Sequence, residues 1–473
     1  MRTNRRFAAT CCVLAAGVAQ GDAIQHGAIS EPEVVASIDA KILRIGALTY
    51  AVENGGVLYV AGEEGVAAIG SDGKPQWAAR LPKTDIRTIG VDGSGIAFAA
   101  QQIVGAEPGA AARFMQGDLA EVPTFTGTTV GLLDKGRRGA VLWTTPLETT
   151  DRAAPPAISG ATVAVTDGAT LALFDRVTGA LKSREKTFPG FFAGMKLFKG
   201  ATRNAPVYAN ESYYVGFSSE LSRVDSVTGK ENWRKSSHGL MSPFLNITAG
   251  PLMWGDTIVF GNSSNSRSNA INDITRVFVS DLDGEQVWND RGDKDSGIAS
   301  LAVRGDRLFV GSNFTLRAYE RRGKKVADLW SDETAKDNGA LMYSGYRGVR
   351  YYLRSKGAAM AEAALLALTG GNDSDDMAAR IGYGNCLAAD DNHVYVSTVE
   401  FSRFALDKSA LAVGVWRKDT KIAGREVIAV IDAATGKYAS SLDAKGEIAD
   451  LLLLGPNLAT YDANSIRIFK RPD

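Results

Sequence analysis

The residue types able to do chemistry are few in this chain and widely spaced. Three histidines, His26, His238 and His393, occur without any His-x-x-x-His or Cys-x-x-Cys partner spacing, so no zinc site is read from them. His238, in RKSSHGLMSPF, reads as a surface or hydrogen-bonded histidine in preference to a catalytic one. Two acidic runs, Asp290, Asp293 and Asp295 in DRGDKDSG and the stretch from Asn372 to Asp376, offer oxygen ligands of the kind calcium takes. Neither has the glycine spacing of a calcium-binding loop, and both are read as polar turns. Arg291-Gly292-Asp293 is taken as a coincidence of three residues. The glycine-rich segments match neither a phosphate loop nor a dinucleotide fingerprint, because no helical pattern follows them. No catalytic, cofactor-binding or metal-binding residue is assigned.

The elements between these residues repeat. Each unit is a short apolar strand, a Gly/Asn/Asp turn, a second strand, a third strand ending in Asp, a Thr-Gly-Lys-like turn and often a Trp. One copy is YVGFSSELSRVDSVTGKENW, with Asp225, Thr228-Gly229-Lys230 and Trp233; another is VIAVIDAATGKYA, with Asp432 and Thr435-Gly436-Lys437. Weaker copies begin at Val57, lead to Asp167 and Asp175, run through Asp281 to Trp288, and follow Leu308 and His393. Such spacing is that of strands and tight turns, not helices. Gly supplies the turn conformation, Asp caps the turn, and Trp is expected to pack between neighbouring units.

Units of this size cannot bury their own sheets and must stack face to face. The expected fold is all-β: a single β-propeller of four-stranded blades over residues 34–473. The count of second strands reaches about nine when IAFAA at Ile96, VRYYLR at Val349 and NLATYD at Asn457 are all included. The last unit ends at IRIFKRPD without a fourth strand, and the strand-like VVASIDAKI lies near the other end. Pairing of the two terminal strands in one blade is therefore expected, which removes an open sheet edge.

Residues 1–21 have the form of a secretory signal peptide: Arg2, Arg5 and Arg6, then an apolar run from Phe7 to Ala19, then small residues. Residues 22–33 are expected to be a flexible start of the mature chain. The apolar run is too short to span a bilayer, and no transmembrane helix is expected elsewhere. Cys11 and Cys12 would leave with the signal, so an exported chain retains Cys386 alone, read as a small buried hydrophobe. The 473 residues carry 53 Lys+Arg and 53 Asp+Glu. A formal net charge of zero argues against nucleic acid as a partner.

The Asp, Thr-Gly-Lys and Trp spacing resembles the repeat of the pyrroloquinoline-quinone-type β-propellers. That superfamily includes quinoprotein alcohol dehydrogenases and the propeller subunit of the bacterial outer-membrane β-barrel assembly machinery. The resemblance implies an eight-bladed propeller, periplasmic or outer-membrane associated, and two functions. The first is a non-catalytic scaffold, monomeric by itself, that binds protein partners in the cell envelope. The second is a quinoprotein-like enzyme or ligand-binding propeller with its site at the channel mouth. Quinoproteins of this kind typically place a vicinal disulfide over the cofactor, and the adjacent pair here, Cys11-Cys12, lies in the signal segment. The scaffold is preferred, with no cofactor.

Three insertions interrupt the repeat: Val104 to Gly127, with Phe114, Met115 and Phe125; Ser263 to Asp273; and Ala358 to Gly371. The first, if ordered, projects from the rim and is the leading candidate for partner contact. The third is read as a degenerate strand in preference to a short helix.

Overall fold

The computed structural model describes residues 29–108, 121–149, 153–167, 170–186, 205–217, 220–236, 245–264, 276–291, 298–312, 316–323, 325–332, 341–343, 387–400, 426–446 and 448–472. These residues form eight sheets, antiparallel throughout except for one short strand at the edge of the seventh blade. Numbered along the chain, blade 1 is built from Leu48–Asn54, Val57–Gly62, Gly65–Gly70 and Pro75–Arg80, and blade 2 opens with Ile86–Val91. Blades 3 to 6 follow, and the first strand of each is its innermost. Those innermost strands lie side by side in ring order, and the ring closes where Leu451–Leu454 of blade 8 meets Leu48–Asn54 of blade 1. The eight expected blades are present; Val349, the ninth candidate, lies outside the described residues.

Closure joins the two ends of the chain. Blade 8 takes three strands from the C-terminal end, Leu451–Leu454, Asn457–Tyr461 and Ser465–Lys470, and its outermost strand is Val34–Asp39. That strand runs antiparallel to the third, with Ile38 opposite Ile466 and Ala36 opposite Ile468. Just before it, Ile29–Ser30 pairs in parallel with Ser441 and Leu442 on the outer edge of blade 7. The chain's first described residues thus cover two neighbouring edges that would otherwise be open. Blade 7 is irregular in another way: Leu341–Tyr343 and Leu387–Ala389 both pair with His393–Glu400, so two separate pieces share the innermost position. The insertion from Ala358 to Gly371 falls between them, outside the described residues.

No single core holds the molecule together. Among the described residues the buried apolar side chains fall into eight clusters, one at each junction between adjacent blades. The reason lies in the strand period of two: successive side chains point to opposite faces of a sheet, and here both faces are covered. In the second strand of blade 4, Ser212–Phe217, Tyr213 and Val215 pack toward blade 3 while Tyr214 packs toward blade 5. Strands buried on both sides read as continuous apolar runs such as VLYVAG and GVAAIG. Each fully buried Leu, Ile, Val or Phe stabilises by roughly 1.5–3 kcal/mol, and the ring spreads that stabilisation evenly.

The repeated turn makes the second contact at each junction. Asp175, at the end of the third strand of blade 3 (Thr170–Asp175), accepts from the backbone N–H groups of Val177 and Thr178 at 3.0 and 2.9 Å and from the Thr178 hydroxyl at 3.0 Å. Asp225 and Asp432 make the same three bonds within blades 4 and 7. The turn presents a glycine in the left-handed region, φ +73° at Gly179, against the Trp143 ring of blade 2; a Cβ there would lie 2.5 Å from the ring. Trp77 meets Gly139, Trp233 meets Gly284 and Trp330 meets Gly436 in the same way. Trp233 therefore packs between blades 4 and 5, as its spacing implies. Smaller residues take the position at two junctions, Ser183 against Gly229 and Ala36 against Gly73.

Candidate functional site

Two regions of the ring could engage a ligand: the wall of the central channel and the outer surface. On the wall, a recess of about 330 Å³ opens between blades 7, 8 and 1, lined by Tyr50 to Glu53, Leu387 and Asp450 to Leu453. It is mainly apolar. Its two carboxylates serve the backbone: Glu53 accepts from the Gly56 N–H and Asp450 from the Leu451 N–H, both at 2.8 Å. The recess can hold an apolar group beside a carboxylate, and it shows no paired acid and base.

The residues singled out from sequence do not converge. Asp290 is not in a turn: it lies in the outermost strand of blade 5, Gln286–Arg291, where it accepts from Arg317 Nη1 at 2.9 Å and from the Tyr319 hydroxyl, both in blade 6. Burial, then the Asp290 carboxylate, pushes the Tyr319 hydroxyl well above its ordinary range. Asp290 thus ties two blades together. Asp293, Asp295, the run Asn372 to Asp376, His26, His238 and Cys386 lie outside the described residues. His393 opens the second strand of blade 7, His393–Glu400, and donates its backbone N–H to Asp390 at 2.7 Å. Burial raises the Asp390 carboxyl, but the N–H groups of His393 and Asn392, the Tyr395 hydroxyl and Arg471 outweigh it and hold it below its ordinary value. Arg471, near the C-terminus, and Arg304 of blade 6, which binds Asp391 through two bonds of 2.8 and 2.9 Å, converge on this turn from two neighbouring blades. Among the described residues no group of three or more His, Cys, Asp or Glu could hold a metal ion. Nor is any helix of the described residues long and apolar enough to cross a membrane.

The insertion between Val104 and Gly127 is partly described, and its described ends are ordered. The second and third strands of blade 2, Gly95–Pro108 and Glu121–Asp134, are 14 residues each where most others have six. They stay paired out to Pro108 opposite Glu121, so a two-stranded arm extends from blade 2. At about 3.3 Å per residue the arm reaches roughly 26 Å beyond its neighbours. Val104 on it is exposed. Phe114 and Met115 lie outside the described residues.

Sequence reasoning missed one set of exposed side chains. Val141, Val177, Leu181 and Val227 are apolar and each at least 47% exposed. All four occupy fixed positions of the repeat, two residues before the glycine of the turn or two before the residue that packs on it. Aligning the units at that glycine would have revealed them.

The turn carboxylates carry a pH dependence. Hydrogen bonds from the Thr178 and Thr228 backbone N–H groups, then from their hydroxyls, lower Asp175 and Asp225, and the Thr435 hydroxyl and N–H lower Asp432. Groups whose folded values are depressed add stability that is present above the ordinary carboxyl range and lost as pH falls through the folded values. The unfolding midpoint should therefore fall on acidification below about pH 4, and Asn at Asp175, Asp225 and Asp432 together should flatten that limb. A triple variant with an unchanged acid limb would remove these turns from the account.

Comparison with known proteins agrees with this geometry. A family model described as outer membrane protein assembly factor BamB matches residues 126–345. Among solved structures, BamB from Moraxella catarrhalis superposes with a TM-score of 0.53 at 14% identity, covering 93% of this chain and 98% of that one. The β-propeller domain of Cps50 (Swd1) from Myceliophteria thermophila reaches a TM-score of 0.40 at 11% identity, covering 79% of this chain and 100% of that chain. Comparison with curated proteins finds no match. With its eight four-stranded blades, its Asp-x-x-Thr-Gly turns and a BamB family match through its middle blades, the chain is a β-propeller that resembles the pyrroloquinoline-quinone-type repeat proteins.

Proposed function

We propose that this protein is a non-catalytic scaffold of the bacterial cell envelope, which binds protein partners in the assembly of outer-membrane proteins. The observation that carries the reading is the family match to an outer membrane protein assembly factor across residues 126–345. Those residues include blades 3 to 6 and the base of the blade 2 arm. The ring supports it physically, since eight small cores at the junctions make a rigid platform whose turns and arms are free to vary. The arm of blade 2 is the leading contact element. Residues 1–21 act as an export signal, the four-stranded blades begin with Val34–Asp39 after the short edge strand Ile29–Ser30, and the mature protein resides in the periplasm or at the outer membrane, monomeric by itself.

Affinity capture from envelope extracts after mild crosslinking should recover outer-membrane assembly proteins with the full protein, and recovery should drop when the arm between Ala106 and Val122 is replaced by a short turn. Mass spectrometry of the captured protein should find a mature start between about Gln20 and Ala28. An intact Met1 terminus in envelope fractions would remove export. Purified protein that carries a quinone and oxidises alcohols would replace the scaffold by the enzyme reading.

A further inference from the structure

The glycine of the repeated turn meets the outermost strand of the preceding blade at six junctions, so equivalent residues can be compared around the ring. Two positions flank each contact: the residue two before the glycine in the turn, and the residue two before the packing residue on the strand. At the junction of blades 1 and 2 these are Arg137 and Pro75; of blades 4 and 5, Leu282 and Glu231; of blades 6 and 7, Ala434 and Asp328; of blades 8 and 1, Ser71 and Val34. Only the two remaining junctions, which are neighbours, have an aliphatic side chain at both positions. Val177 and Val141 flank the contact between blades 2 and 3, and Val227 and Leu181 flank that between blades 3 and 4. All four are exposed, Val177 to 84%. Nothing in turn chemistry requires this, because Asp283 and Ala434 occupy the second position after the capping Asp in blades 5 and 7. These side chains therefore form an apolar arc across three blades.

The charges around the arc indicate what covers it. Its carboxylates are already engaged: Asp134 with Arg137, Asp175 and Asp225 with their own turns, Glu231 with Arg234. Two exposed cations, Arg138 three residues before Val141 and Lys230 three residues after Val227, have no acidic partner among the described residues. Apolar contact with an unmatched positive fringe suits a ligand of opposite character.

We propose that this arc, on the turn side of blades 2 to 4, is a docking surface for an acidic protein segment whose apolar side chains cover Val141, Val177, Leu181 and Val227. The proposal rests on the scaffold reading and assigns it a second contact face. The blade 2 arm leaves from the opposite end of the strands, since the arm joins the second and third strands and the capped turns join the third and fourth. One protein can then hold two partners at once.

The test selects a random peptide library on the purified full-length protein, then measures each enriched peptide against Val177→Glu/Val227→Glu and against the conservative Val177→Ile/Val227→Ile. Both pairs lie in exposed turns, and unfolding curves should match the wild type. Expected are peptides rich in acidic and aliphatic residues, bound about tenfold more weakly by the glutamate variant and unchanged by the isoleucine variant. Peptides bound equally by all three proteins would overturn this surface and leave the scaffold reading standing. A library with no enrichment would count against both. Self-association that the glutamate variant abolishes, or binding to phosphatidylglycerol vesicles that it abolishes, would assign the arc to a second copy or to lipid and overturn the proposal.

Discussion

Deletion of Ser465–Asp473 is expected to eliminate the native unfolding transition. The lost strand is not at an edge: it lies between Asn457–Tyr461 and Val34–Asp39 and pairs with both. Its removal takes away two hydrogen-bonded ladders and leaves the N-terminal strand with no neighbour. Ile466, Ile468 and Phe469 are fully buried, the two isoleucines in the junction of blades 8 and 1 and the phenylalanine in that of blades 7 and 8. At roughly 1.5–3 kcal/mol for each such side chain, their loss alone approaches the roughly 5–15 kcal/mol by which native domains are stable. Arg471 goes as well, and with it an ion pair to Asp390. Circular dichroism and calorimetry should find no cooperative melt, whereas a chelator should leave the full-length melt in place. A deletion variant that melts within a few degrees of the wild type would show that the ring does not depend on closure.

Trp143→Ala is expected to cost about 3–5 kcal/mol, the range for removing a buried aromatic ring. Trp143 is 8% exposed, lies against Gly179 and stacks near Phe174 with ring centroids 6.1 Å apart. Its indole Nε1 donates to the Arg176 carbonyl at 2.8 Å. Truncation opens a cavity between blades 2 and 3 and deprives that carbonyl of its donor. Trp233→Ala at the junction of blades 4 and 5 should fall at the lower end of the same range, because that ring is only half-buried. Equilibrium unfolding measures both. A Trp143→Ala shift below about 1 kcal/mol would reject the packing role and suggest that the ring serves a ligand.

These two predictions depend on information of different kinds. The turn around Gly179 was legible in sequence, since Asp175, Thr178 and Gly179 have local reasons to occur together: a carboxylate that caps two N–H groups and a residue that tolerates positive φ. The continuous apolar strands were legible for an equally local reason, since period-two side chains buried on both faces leave no polar alternation. Even the sharing of blade 8 by the chain ends followed from a final unit lacking its fourth strand. By contrast, Asp290 could not be assigned from DRGDKDSG, because its partners Arg317 and Tyr319 lie in the next blade. The arm of blade 2 was visible only as an insertion, for strand pairing from Gln101 to Pro108 depends on a partner strand beyond a gap. Eight blades followed from the resemblance and are present, whereas counting units left nine open, because repeat counting scores strand-like runs and closure requires that each find a neighbour on both sides. The arc of Val141, Val177, Leu181 and Val227 is four unremarkable aliphatic residues in sequence, and becomes a surface only because stacked blades place the turn of one against the outer strand of the last. Local backbone chemistry determined the unit; the ring decided which units touch, since contacts between blades join residues tens to hundreds of positions apart.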